Sequence, residues 1–135
     1  MKKKKILIFE DEWPTIRGSF EMANIYAFEG ILDFDVKPKS QDASFEDWSN
    51  QYLAVFVDIT LAKNTRLDGY SILKKIKEEN LMSLDRVFVL TGNSKLPDKL
   101  KEIGLNPKDF KIIYKPLGFD ELAKYLRVIL HEGKE

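Results

Sequence analysis

The sequence predicts an α/β domain built on one parallel sheet with helices on both faces. Three observations carry that expectation. Short apolar runs of strand length recur at residues 6–9, 53–58, 87–91 and 110–114. Segments whose apolar residues keep helical spacing lie between them. No Pro/Gly/Ser-rich linker or repeat divides the 135 residues, so one domain, 1–135, is expected.

Each element has a local reason. Residues 6–9, Ile-Leu-Ile-Phe, form a short apolar strand before three acids. Residues 14–28 form a helix with Pro14 in its first turn. Its Ile16, Phe20, Ala23 and Ala27 share one face, and Gly30 ends it. Residues 31–36 alternate in apolar character, which suggests a half-exposed edge strand. Residues 45–51 suggest a short helix or turn, with Phe45, Trp48 and Tyr52 as packing residues. Residues 53–58 form a buried strand. Residues 68–80 form a helix started by Asp68-Gly69, with Ile72, Leu73 and Ile76 inward and Lys74, Lys75, Lys77 and Glu78 outward. Residues 87–91 form an apolar strand. Residues 97–103 form a short helix stopped by Gly104, and 110–114 form the last strand. Residues 118–131 form the last helix, its Phe119, Leu122, Ala123, Leu126, Ile129 and Leu130 at helical spacing.

Composition narrows the function. Apolar residues make up 44% and charged residues 33%, ordinary for a soluble protein. Twenty-two basic and twenty-two acidic side chains cancel, which argues against nucleic-acid or membrane binding through bulk charge. With no cysteine there is no disulfide, thiolate nucleophile or thiolate metal site. The basic start MKKKK precedes only four apolar residues, too few for a signal-peptide core. A soluble, cytoplasmic protein is expected.

Parallel sheets of this kind carry their sites beyond the carboxyl ends of the strands. Those ends read Glu10-Asp11-Glu12, Asp58-Ile59-Thr60, Thr91-Gly92-Asn93 and Lys115-Pro116. Taken singly, each has an ordinary explanation: a solvated acidic turn, a capping aspartate, a strand-end hydroxyl, a surface lysine. Together they bring carboxylates, a hydroxyl and an ammonium to one edge. Carboxylates this close repel unless a cation sits among them. Oxygen ligands without His or Cys favour Mg²⁺ over zinc. That set suits phosphoryl transfer, with Asp58 as the candidate nucleophile and Thr91 and Lys115 as partners of the transferring oxygens.

The ordered set ILIFEDE, VFVDIT, LDGY, VFVLTGNS and YKP, which spans nearly the whole chain, resembles the receiver domain of two-component response regulators. The resemblance implies a five-stranded, doubly wound, flavodoxin-like (β/α)5 fold. It also implies Mg²⁺ (or Mn²⁺)-dependent transfer of a phosphoryl group from a sensor histidine kinase or phosphotransfer protein. By position, Asp58 matches the phosphoacceptor. Glu10 and Asp11 match the acidic pair, with Asp11 as the direct ligand, and the Thr60 main-chain carbonyl matches a further metal ligand. Thr91 matches the switch hydroxyl, and Lys115 the phosphate-contacting lysine, commonly joined to its proline by a cis peptide. The metal set is thus Glu10, Asp11, Asp58 and Thr60.

The implied protein is a stand-alone receiver whose output is a change in contacts with a downstream protein. Any enzyme activity would be limited to self-phosphorylation and self-dephosphorylation. No direct nucleic-acid contact or membrane insertion is implied. A phosphorylation-independent interaction module is the alternative. An aspartate-nucleophile phosphohydrolase is disfavoured, because Thr60 stands where a second acid would be wanted.

Departures from the family pattern are specific. Glu10 replaces the usual aspartate, Ile112 the usual aromatic three residues before the lysine, and Ala62 a common proline. Asp68-Gly69 comes about three residues late, after the extra stretch LAKNTR. Thr60 and Asn93 flank the phosphate position, and neither is a base of useful pKa. Trp13, next to the acidic cluster, belongs either beside the metal or over the helix start. His131, the sole histidine, lies near the end of the last helix and is not read as a phosphorylation site.

Overall fold

The computed structural model describes residues 3–61 and 63–132. Ala62 lies outside the described residues, as does the His131 side chain. Among the described residues five strands alternate with five helices: β1 Lys4–Phe9, α1 Trp13–Phe28, β2 Leu32–Lys37, α2 Trp48–Gln51, β3 Ala54–Asp58, α3 Gly69–Glu79, β4 Val87–Thr91, α4 Leu96–Glu102, β5 Lys111–Tyr114 and α5 Phe119–Glu132. All strand pairings are parallel, in the order β2-β1-β3-β4-β5. The predicted edge position of residues 31–36 is therefore observed: β2 pairs only with β1.

Side-chain alternation along the strands feeds two cores. Ile6, Ile8, Phe56, Phe88, Leu90 and Ile113 face α1 and α5. Leu7, Phe9, Val55, Val57, Val87 and Val89 face α2, α3 and α4. Every residue of β3 and β4 is buried, as strands covered on both faces require. Rings anchor both layers. Phe56 stacks on Phe88 at 4.6 Å, and Phe20 meets Phe56 edge-on at 5.1 Å. Phe9, Phe45 and Trp48 cluster on the other face, so the aromatic residues of that stretch do pack. Trp13 lies against Phe20 and Phe34, covering the first turn of α1.

Three expectations change. Helix α2 spans only Trp48–Gln51, because Asp47 takes a left-handed conformation (φ 56°) that separates Phe45 from the helix. Helix α1 is closed by Glu29 and Gly30 together, both at positive φ, rather than by Gly30 alone. Phe119 does not join the core. It is 38% exposed and rests on Tyr26 of α1.

Gly18 lies inside α1, exposed, and a Cβ there would meet nothing within 4 Å. Gly18→Ala is expected to stabilise the protein by about 0.5–1 kcal/mol, read as a higher urea midpoint at unchanged m.

Candidate functional site

The parallel register brings the four strand ends to one edge and continues past them. The Glu10 amide donates to the Lys37 carbonyl at 3.1 Å, the Ile59 amide to Leu90 at 3.1 Å, and the Lys115 amide to Thr91 at 2.7 Å. These bonds fix the main chain from which the predicted side chains project.

Glu10, Asp58 and Thr91 are almost fully buried, at 0%, 3% and 1% exposure. Buried carboxylates need partners. The Lys115 ammonium supplies one to each, donating to Glu10 Oε1 at 2.9 Å and Asp58 Oδ2 at 3.1 Å. The second oxygens are also engaged. Glu10 Oε2 accepts from the Glu12 amide at 3.2 Å, and Asp58 Oδ1 from the Thr60 amide at 3.0 Å. Thr91 Oγ1 accepts from the Asn93 amide at 3.0 Å, an acceptor role that leaves its own proton to donate elsewhere. The Lys115–Pro116 peptide is cis, as the resemblance implied.

Electrostatics follow from this crowding. Burial, and then the shared hydrogen bond and charge of Asp58, push the Glu10 carboxyl up to about 8 against the opposing pull of Lys115. Burial alone would lower the Lys115 pKa. Its bonds to Glu10 and Asp58 outweigh that and hold it above the ordinary lysine range.

Carboxylate oxygens of Glu10, Asp11 and Asp58 lie within 4.8 Å of one another, with Asp11 exposed at the rim. Three hard oxygen donors with no nitrogen or sulfur fit Mg²⁺ or Mn²⁺. The structure therefore gathers Glu10, Asp11, Asp58, Thr91 and Lys115, and places the Thr60 main chain against Asp58.

Ile112 is half-buried and packs against the α3–α4 core, while Tyr114 lies two residues further along the strand, level with Thr91 and 43% exposed. Ile112 pairs with Val89 and Tyr114 with Thr91, so the Tyr114 ring does not stand at the Ile112 position.

From the sequence Asp68-Gly69 reads as a helix start. Asp68 does cap α3, accepting from the Ser71 amide at 2.8 Å. But a Cβ on Gly69 would fall 2.5 Å from Ile59 Cα and 2.7 Å from the Asp58 carbonyl oxygen. The first turn of α3 thus rests directly on the Asp58–Ile59 backbone. Sequence reasoning also missed Ser40, a buried serine bound to the loop after Asp58. A lone serine after an edge strand gives no signal of that kind.

No protein-family profile and no curated protein sequence matches the chain. Solved structures do. The receiver domain of the Francisella response regulator 1452 has TM-score 0.67 and 20% identity, covering 98% of this chain and 100% of its own. A putative response regulator from Chloroflexus aurantiacus has TM-score 0.69 and 21% identity, covering 96% and 99%. The receiver domain of a sensor histidine kinase from Pseudomonas aeruginosa, with a magnesium ion coordinated in its active-site cleft, has TM-score 0.64 and 22% identity, covering 96% of each chain. The chain has the five-stranded, flavodoxin-like fold of response regulator receiver domains. Among the described residues no helix is long and apolar enough to cross a membrane.

Proposed function

We propose that the chain is a receiver domain that accepts a phosphoryl group on Asp58 from a sensor histidine kinase or phosphotransfer protein, with Mg²⁺. One observation carries the proposal: Lys115 bridges the buried Glu10 and Asp58 carboxylates at hydrogen-bond distance. A lysine serving only the surface would not be drawn into a buried acidic pair. Glu10, Asp11, Asp58 and the Thr60 main-chain carbonyl would hold the cation, which when bound neutralises charge on the transferring oxygens.

The chain's own groups do the rest. An Asp58 carboxylate oxygen attacks phosphorus, and the bond to the donor's nitrogen or oxygen breaks, its electron pair leaving with the donor. Lys115 then balances the added charge, and the Thr91 proton is available to a phosphoryl oxygen. Thr60 and Asn93 offer no base to activate water, which supports slow to moderate self-hydrolysis. Thr91 ends β4 and Lys115 follows β5. Phosphorylation therefore biases the face formed by α4, β5 and α5 toward a downstream protein. A phosphorylation-independent module would have no use for Asp58, Thr91 and Lys115 in these mutual positions.

The test is incubation with Mg²⁺ and acetyl phosphate. One phosphate-mass adduct is expected on the parent and none on Asp58→Asn. An adduct that persists in Asp58→Asn would place the acceptor elsewhere. No adduct on the parent would return the protein to the interaction-module class.

A further inference from the structure

The ten residues between Asp58 and Gly69 include the extra stretch LAKNTR. Residues 64–67 of these ten do not lie free. They tie the far end of the loop to the turn that follows β2. The Ser40 amide donates to Thr65 Oγ1 at 2.9 Å, and the Leu67 amide donates to Ser40 Oγ at 2.8 Å. The Arg66 amide donates to Gln41 Oε1 at 2.9 Å, and Gln41 Nε2 donates to the Asn64 carbonyl at 2.9 Å. Thr65 Oγ1 also donates to the Leu67 carbonyl at 2.8 Å, so one hydroxyl serves both sides. Ser40 is 1% exposed, and it lies three residues beyond the edge strand that pairs with β1.

We infer that Ser40, Gln41 and Thr65 are positioning residues for the acceptor site. They fix residues 64–67 against the sheet frame, so that the Thr60 main chain stays on Asp58. This rests on the function proposed above. The near end of the loop is held by the Thr60 amide on Asp58 Oδ1 at 3.0 Å. Only residues 61–63 separate the two anchored ends. A free ten-residue loop would sample many backbone states, and its main-chain groups would be poorly placed for a cation. Anchoring both ends removes that freedom. The extra residues then lengthen the loop without loosening the site. Gln41 is exposed, and Gln41 and Thr65 lie outside the two apolar cores, so their hydrogen bonds can be removed without opening either core.

The discriminating variants are Thr65→Val, which keeps shape and removes the hydroxyl, and Thr65→Ser, which keeps the hydroxyl. Gln41→Ala removes the second pair of bonds. MgCl₂ titration by calorimetry and hydrogen exchange at the Thr60 amide in EDTA are the two readouts, with far-UV circular dichroism to confirm folding. Thr65→Val and Gln41→Ala are expected to weaken Mg²⁺ about tenfold, as loss of an outer support of a metal site typically does. They are also expected to speed Thr60 exchange, while Thr65→Ser stays near the parent on both. Parent-like Mg²⁺ affinity and exchange in Thr65→Val and Gln41→Ala would overturn the inference. So would an equal loss in Thr65→Ser, which would mean that packing rather than the hydroxyl matters. Should the parent bind no Mg²⁺, the proposed function falls. The exchange arm then decides alone: unchanged Thr60 exchange in the variants overturns the positioning role.

Discussion

Gly69→Ala is expected to destabilise the protein by about 3 kcal/mol and to impair phosphorylation in the same variant. The new methyl would sit 2.5 Å from Ile59 Cα, 2.7 Å from the Asp58 carbonyl oxygen and 2.8 Å from the Ile59 carbonyl oxygen. All three are backbone atoms, so no side-chain rotation relieves the contact. Either α3 moves off the sheet or the β3 end moves. The first opens the core where Ile72, Leu73 and Ile76 are buried. The second moves Asp58 away from Lys115. Thermal unfolding is expected to shift down by roughly 10 °C. The yield of acetyl-phosphate adduct is expected to fall beyond what the unfolded fraction explains. Gly18→Ala serves as the control, since the same substitution in open space should raise stability. A Gly69→Ala protein with the parent's melting temperature and adduct yield would show that the close approach has no consequence.

Gly69 also marks where the sequence stops being legible. The strands were readable because buried parallel strands are apolar without interruption, as in residues 87–91. The inward faces of α1 and α3 were readable because burial and helical spacing coincide. The gathering of Glu10, Asp58, Thr91 and Lys115 was readable because topology forces them to a common edge once the strands are parallel. What was hidden depends on distance across the fold. Asp68-Gly69 looks like any capped helix start, and only the packing of α3 on β3 shows why the second residue lacks a side chain. Ser40 and Gln41 are separated from the loop they hold by more than twenty residues, with no periodicity linking them. Phe119 follows helical spacing, but that spacing does not reveal that it lies over the outer edge of α1.

The metal-free protein is expected to lose stability as pH rises between about 5 and 8, and Mg²⁺ is expected to offset the loss. Glu10 is the group that sets this dependence. Its carboxyl is raised from 4.5 to about 8 in the fold, by burial first and by Asp58 second. Between those values the folded state holds a proton that the unfolded chain has released. Stability therefore falls with pH across that window. The contribution is fully present below 4.5 and gone once pH passes the folded value. A shift of this size corresponds to several kcal/mol at most, and relaxation around the pair reduces it. Mg²⁺ favours the ionised carboxylates, so its binding releases the Glu10 proton, and its affinity rises over the same window. Urea unfolding from pH 5 to 9 should show a declining curve in EDTA and a flatter one in Mg²⁺. In Glu10→Gln the titrating group is absent, so the EDTA curve should lose most of its slope. It should also lie above the parent at pH 8.5, because a neutral amide at that position needs no counter-charge from Lys115. A parent curve that is flat in EDTA, or one that Glu10→Gln leaves unchanged, would show that the Glu10 proton is not what links this site to folding.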